Sequence, residues 1–503
     1  MEHMESCSCG QEHGEPFPPW PGSPTEPVAV KWFVDLNESI KNLGSSFYRS
    51  GKQSQNLVDS RSGKQGTTGG RSCDILLSIS GLAASYSWRD VLVLGELKLS
   101  ADWDKKRKNK LLESITSSVR EIFGAQLGRL FVHAFSICGA VMRCYLFDRR
   151  GVVASQAFEI TKNAKTSNLF ANILRAYCQM DAKGLGYDTG YRTNSGEVYL
   201  PAKHHREPRY VNVAGKRFGI VRQLSYGAAI VSRGTLCWLA KDEEETHCVV
   251  KDVWRSIFRE PEAGFYAEAE REGVSGLADC RYHEDIEIVG AKDIQFGIRK
   301  GLTIDPRNIY KLAGNQEGLG SATTSCSGRS SRQSGDRGQR KRKRPDREPS
   351  DTKHVKSTEP VQANWNRIHS RLVCYGIGRS IYKFRTITEL LEAFVDAIKG
   401  MSSSNKSKPD FDAYFGLGHR SLLECCDILH RDISLHNIMI TESVHQKEGD
   451  PKGFLIDLDM ASKAGSESNS GARHRTGTFE FMAIEVLEGD GRHSYRHDLE
   501  SFF

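Results

Sequence analysis

The chain has 503 residues, room for two or three domains of ordinary size. With 38% hydrophobic and 26% charged residues and no run of about 18 apolar positions, it reads as a soluble globular protein without a membrane span. The net charge of +7 is local: eight Lys/Arg and one Asp fall between Arg329 and Arg344, so the remainder is about neutral and no nucleic-acid surface is expected on the folded part.

Thirteen cysteines, an odd number scattered without a framework, point to a reducing, intracellular compartment. The tightest cluster, Cys7, Cys9 and His13, lacks a second ligand pair at zinc-site spacing and reads as tail. The first residues run into acidic and Pro/Gly-rich sequence, with no basic-then-apolar leader.

In chain order, residues 1–27 read as a disordered tail. An N-terminal α/β domain follows over 28–180. It opens with a helix from Val28 to Leu43 and a Gly/Ser/Gln-rich loop at 50–71. Strand-like runs start at Asp74 and span Val91 to Lys98. A helix from about Lys110 to Gln126 places Leu111, Ile115, Val119 and Ile122 on one face. Leu130 to Ser136 and Val141 to Phe147 read as strands, with a turn at Asp148 to Gly151. Residues 181–225 are a connector. A second block, 226–503, is interrupted at 313–360 by a Gly/Ser/Arg/Lys-rich insertion without periodicity, expected to be disordered. There are no internal repeats.

The strongest chemical signal is His430-Arg-Asp432-Ile-Ser-Leu-His-Asn437 between apolar flanks that fit an entering helix and a leaving strand. Phosphoryl transfer needs a carboxylate to orient the attacking hydroxyl and accept its proton, and a nearby amide oxygen to hold metal. Asp432 and Asn437 have the five-residue spacing of such a catalytic loop. Twenty residues past Asn437, Asp457 follows a short apolar strand, where a kinase places its magnesium-chelating carboxylate; the usual Asp-Phe-Gly reads Asp457-Leu-Asp459. Glu485 closes what reads as an activation segment, without the usual Pro before it, and Asp498 matches the Asp that braces a kinase catalytic loop. Upstream, Ile230 to Ala240 fits a phosphate-covering hairpin in which Gly234 is the one glycine kept of three. Lys251 ends an apolar strand as a phosphate-pairing lysine would. Its partner is expected on the helix after Pro261: Glu262, with Glu268 as the alternative.

Together the phrases Trp88-Arg-Asp, Gly95-Glu-Leu-Lys98, Ser232-Arg-Gly-Thr235, Val250-Lys-Asp-Val-Trp254, His430-Arg-Asp-Ile-Ser434 and His497-Asp-Leu-Glu-Ser501 resemble the fungal-type protein kinase family over most of 74–503. The resemblance implies an α+β, two-lobed protein-kinase-like fold, with a small lobe over 226–385 carrying the basic insertion and a large lobe over 386–503. It implies ATP-dependent phosphorylation of protein Ser/Thr, with ATP and Mg2+ as cofactors and a protein as substrate. Lys251, Gly234 and Glu262 would serve the nucleotide, Asn437 and Asp457 the metal, and Asp432 the substrate hydroxyl. Because the chain ends at Phe503, inside what should be the long helix of the large lobe, that lobe is expected to be incomplete. A catalytically silent pseudokinase or binding scaffold is the alternative from another class, favoured by the lost glycines. A small-molecule phosphotransferase is the alternative among enzymes, opposed by the His-Arg-Asp arginine and the Glu485 closure.

Three further patterns stand beside this reading. Arg340-Lys-Arg-Lys-Arg-Pro345 has the form of a nuclear-import signal, or of a solvated linker, so the compartment is expected to be cytoplasmic, nuclear or both. Ser466, Ser468, Ser470, Thr476 and Thr478 are candidates for phosphorylation and pairing with Arg431. Asp74 followed by Glu96-Leu-Lys98, then a helix and a strand, is also the order of a PD-(D/E)xK nuclease core, in which the carboxylates bind magnesium; the plainer reading is a Glu–Lys pair on a half-buried strand.

Overall fold

The computed structural model describes residues 17–22, 24–40, 45–49, 74–79, 87–100, 105–204, 207–304, 366–399, 418–442, 451–465, 477–488 and 493–503. The Cys7–Cys9–His13 cluster, the basic run at Arg340–Pro345 and the segment holding Ser466, Ser468, Ser470 and Thr476 lie outside them.

The first unit is a mixed seven-stranded sheet between helices. Helix α1 (Glu26–Ile40) leads into β1 (Ser45–Arg49), β2 (Ile75–Ile79) and β3 (Val93–Lys98), which pair antiparallel. Helix α2 (Lys105–Ala125) then crosses over to β4 (Phe131–Cys138), which runs parallel to β3. Strands β5 (Val141–Asp148), β6 (Gly151–Ala154) and β7 (Phe158–Glu159) extend the sheet antiparallel, and α3 (Ala164–Gln179) returns over it. Alternation sorts the side chains to two faces. Ile75, Leu77, Val93, Leu97, Phe135 and Ile137 pack with Phe33 and Leu36 of α1 and Phe170 and Leu174 of α3. Leu76, Leu94, Val132 and Ala134 pack with Leu111, Ile115, Val119, Ile122 and Phe123 of α2. Both faces are covered, so the central strands are largely apolar, with Ser78, Glu96 and Ser136 as buried polar exceptions. The stretch read as a tail is partly recruited: Trp20 is 7% exposed in the first of these cores, and its indole donates to the Gly139 carbonyl at 3.2 Å.

The second unit is an antiparallel sheet of β8 (Tyr191–Arg192), β9 (Tyr210–Val213), β10 (Lys216–Tyr226), β11 (Leu236–Lys241), β12 (His247–Ser256), β13 (Asp279–Asp285) and β14 (Arg367–Tyr375), in the order β13-β14-β12-β11-β10-β9-β8. Residues 181–225, read as connector, thus supply three of its strands; their alternation of polar and apolar positions is that of a sheet with one wet face. Helix α4 (Glu262–Arg271) follows β12 and packs Phe265, Tyr266 and Ala269 onto Leu422, Ile428, Phe454 and Leu458.

Those partners belong to a third layer. It holds α5 (Ile387–Lys399), α6 (Gly418–Cys426) and the short α7 (Ile484–Glu488) and α8 (Tyr495–Glu500). Its strands are β15 (Gly378–Ser380), β16 (Ile428–Leu429), β17 (Ile438–Thr441), β18 (Gly453–Leu455) and β19 (Ser462–Lys463), paired as β15-β17-β18 and β16-β19. Among the described residues, no helix is long and apolar enough to cross a membrane.

The first two units share an interface with its own core. Leu130 and Phe131 pack on Trp254, Ile288 and Ile294. Beside them the fully buried Asp148 takes two hydrogen bonds from Arg299, at 2.6 and 2.7 Å. A buried pair with both carboxylate oxygens satisfied fixes relative orientation more than it adds stability.

Candidate active site

Lys251 lies inside β12 rather than at its end, flanked by Cys237 of β11 and Leu372 of β14. Two strands hold its backbone, so its ammonium is aimed by the sheet. Nζ sits 2.6 Å from Glu262 Oε2 and 2.8 Å from Asp457 Oδ1. Glu262 is the first residue of α4, and its other oxygen accepts the Leu458 N–H at 3.1 Å. Glu268, the alternative partner, is drawn away: it accepts from Lys463 at 2.6 Å. Burial works against charge on Lys251, but Asp457 and Glu262 outweigh it and hold the ammonium well above its ordinary range. The same exchange keeps Asp457 well below the carboxylate range: burial opposes ionisation, and Lys251 and Arg233 more than offset it.

The loop after β16 is organised from below by Asp498, which is 0% exposed. Its carboxylate accepts the backbone N–H groups of His430 at 2.8 Å and Arg431 at 3.0 Å, and contacts ring nitrogens of His419 and His493 at 3.0 and 2.7 Å. This holds Arg431 at φ 66°, a left-handed conformation that a non-glycine residue keeps only under such constraint. Asp432 follows immediately. Its Oδ1 accepts the N–H and hydroxyl of Thr478 at 2.8 and 2.9 Å, so the one described candidate for phosphorylation is engaged by this carboxylate. Asn437 donates its amide to the Asp432 carbonyl at 2.8 Å, which leaves the amide oxygen available to a cation. The Asn437 carbonyl accepts the Ile456 N–H at 3.0 Å, which sets Asn437 beside the strand that presents Asp457. One amide oxygen and one ionised carboxylate form a hard-oxygen donor set of the kind Mg2+ takes. Glu485 is anchored at α8 by His497, at 2.8 Å, and by Arg496.

The loop between β10 and β11 departs most from expectation. Gly227, not noted in the sequence, starts it by donating to the Thr235 carbonyl at 2.9 Å. Gly234 stands at φ 53°, and a Cβ there would lie 2.9 Å from Arg149 Nε. Arg149 belongs to the first unit and donates to the Ala229 carbonyl at 2.7 Å, while Ile230 is buried in the α2 face of that unit's core. On its other side the loop sends Arg233 to Asp459, Nη1 to Oδ2 at 2.8 Å. Sequence reasoning passed over Arg233 and Asp459. The available signal was an arginine in a phosphate-facing loop and a second carboxylate where a glycine is usual.

The arrangement brings an ammonium clamped by two acids, a loop carboxylate and an amide oxygen to the junction between a β-rich layer and a helical one, the equipment of a phosphotransferase. The family model described as fungal protein kinase matches residues 74–408 and 417–503, so the chain belongs to the fungal protein kinase family. It is also 33% identical over 78 residues to receptor-interacting serine/threonine-protein kinase 3 of Rattus norvegicus, a match covering 15% of each chain. The chain thus spans 15% of the length of that curated relative. The crystal structure of the BubR1 kinase domain aligns with 58% of this chain and 61% of its own at 10% identity and a TM-score of 0.30, a likeness too slight to carry an argument.

Proposed function

We propose that this protein transfers the γ-phosphoryl group of Mg–ATP to serine and threonine hydroxyls of a protein substrate. The observation that carries the reading is Lys251, held by Glu262 of α4 and Asp457 of the β18 exit, three elements meeting on one buried ammonium. The small lobe is the second sheet with α4, and the large lobe is the layer from α5 onward.

In this reading Lys251 pairs with the nucleotide's phosphates, and Glu262 keeps it aimed. Asn437 and Asp457 would hold Mg2+, which when bound neutralises charge on the phosphates. Asp432 has one carboxylate oxygen occupied by Thr478, so the other is left to orient the substrate hydroxyl and take its proton. Arg233 sits where it could exchange Asp459 for a phosphate oxygen. Glu485 is anchored by His497 and Arg496, as the closing residue of an activation segment would be, which supports a protein substrate over a small molecule. The basic run at Arg340–Pro345 supports a nuclear destination for an intracellular protein.

The test is phosphoamino-acid analysis of a generic protein substrate and of the chain itself after incubation with γ-labelled ATP and Mg2+. Label on serine and threonine supports the proposal; label on tyrosine alone, or on a small molecule alone, removes it.

A further inference from the structure

Outside the candidate active site, one group of chemistry-bearing side chains has no part in phosphoryl transfer. Asp74 stands immediately before β2, and Glu96 and Lys98 lie two apart on β3, hence on one face. Lys98 Nζ is 2.9 Å from Asp74 Oδ2 and 3.0 Å from Glu96 Oε2, and the Leu97 N–H also donates to Asp74, at 2.8 Å. Glu96 is 2% exposed, opposite Ser136 of β4 and between the buried Leu94 and Leu97 of its own strand. A sheet core gains nothing from a buried carboxylate, and here two carboxylates share one ammonium. Gly95 holds the strand in place: a Cβ there would meet the Phe135 ring at 2.5 Å, so β3 and β4 approach closely.

A second, separate feature lies on the helix that touches this cluster. Ser114 of α2 donates to Glu96 Oε1 at 3.4 Å. One and two turns earlier, that face of the helix carries Lys110 and Lys106, which with Asn109 and Glu113 line a cavity of about 560 Å³. The first six residues of α2 read Lys-Lys-Arg-Lys-Asn-Lys, cations where the helix dipole already favours anions. A buried acid and a half-buried one, on a strand touched by a helix whose first turns are rich in lysine, suit a cation that bridges to a polyanion. Nucleic acid with a divalent metal has that chemistry, and this local charge runs against the neutral surface expected from composition.

We propose that Asp74, Glu96 and Lys98 form a second catalytic site, in which the two carboxylates bind a divalent cation and Lys98 orients a water that hydrolyses a nucleic-acid phosphodiester. The water oxygen forms a bond to phosphorus as the bond from phosphorus to a sugar oxygen breaks. The water's proton leaves to solvent, the sugar oxygen gains one, and no electrons are exchanged. Lys106 and Lys110 hold the flanking phosphates. The proposal is independent of the kinase reading.

The full chain, without ATP, is incubated with supercoiled plasmid and with single-stranded RNA in Mg2+ or Mn2+, beside an EDTA control. Mn2+ binding is measured by calorimetry in parallel. The expected result is metal-dependent cleavage of at least one nucleic acid, reduced about a hundredfold in Glu96→Gln and in Lys98→Ala, with one fewer Mn2+ bound per chain in Glu96→Gln. Circular dichroism of both variants separates loss of site from loss of fold, and Lys98→Ala leaves both carboxylates in place if Glu96→Gln does not fold. Cleavage that persists in both variants overturns the proposal, as does Mn2+ stoichiometry unchanged in a folded Glu96→Gln. Cation binding at Glu96 without cleavage of DNA or RNA overturns the catalytic assignment.

Discussion

Arg233 and Asp459 meet across the junction, guanidinium to carboxylate at 2.8 Å, and tie the β10–β11 loop to the segment that carries Asp457. Burial opposes the charge on Arg233, but Asp459, Asp457 and Asp432 outweigh it and raise its pKa above the ordinary arginine value. The far side of the same loop rests on the first unit through Ile230 and Arg149. A loop with few glycines is therefore held by contacts on both sides, where a glycine-rich one would rely on its own freedom to close over phosphate.

Arg233→Gln removes the charge and the guanidinium that reaches Asp459, and keeps a polar side chain. Phosphotransfer kcat/KM for ATP is expected to fall about tenfold, about 1.4 kcal/mol, chiefly through KM. Steady-state kinetics against ATP concentration measure it; an unchanged KM would mean the bridge does not serve the nucleotide.

Lys251→Met leaves Glu262 and Asp457 buried without their shared cation. Destabilisation of about 3–5 kcal/mol is expected, read from urea unfolding of the full chain. Glu262→Gln lowers phosphotransfer, whereas Glu268→Gln, which loses only a half-exposed contact with Lys463, leaves it nearly unchanged. The reverse order of the two glutamate variants would reassign the partner of Lys251.

Asp498 has a folded pKa depressed below its ordinary 3.8: burial raises it, but His419 and His493 more than compensate. The unfolded chain takes up this proton first. Its contribution is therefore full above about pH 5 and is lost as pH falls through 4 and below. Asp498→Asn should cost roughly 2–4 kcal/mol at pH 7 and flatten the acid limb of a stability–pH curve. A curve parallel to that of the parent protein would contradict this.

His133 is pushed down to about 4 by burial, with the Arg129 charge adding to the effect and a contact to the Gly184 carbonyl opposing it. Between its ordinary 6.5 and 4 the unfolded state binds a proton that the folded state refuses. Stability should thus fall by up to about 3 kcal/mol from pH 7 to 4. Replacing His133 by Asn should remove that part of the slope, measured by melting temperature across pH.

The large-lobe side of the candidate site was the more legible part. His430 to Asn437 and Asp457 are close together in sequence, and the loop and strand geometry that joins them is local. The α2 register and the strand runs were legible for the same reason, since Leu111, Ile115, Val119 and Ile122 show helical period directly. What was not legible depends on distant partners. The role of Arg149 exists only because the first unit docks against the β10–β11 loop, a contact between residues 80 apart in sequence, and that of Arg233 because Asp459 meets it from 226 residues away. Strands β8 to β10 were missed because their half-exposed alternation resembles a linker once hydrophobic runs are the guide. Trp20 shows the same limit: an aromatic in Pro-rich sequence gives no sign of the core that will receive it.

The central claim is best tested by γ-phosphoryl transfer from Mg–ATP to a generic protein by residues 1–503, beside Asp432→Ala and Asp457→Ala, with nucleotide binding measured on the same samples. The account predicts transfer by the parent chain and a loss of about 10²–10⁴-fold in Asp432→Ala with ATP binding retained. Asp457→Ala should lose both transfer and metal-dependent binding. A folded parent chain that binds ATP and transfers nothing would contradict the account and leave a nucleotide-binding scaffold in its place.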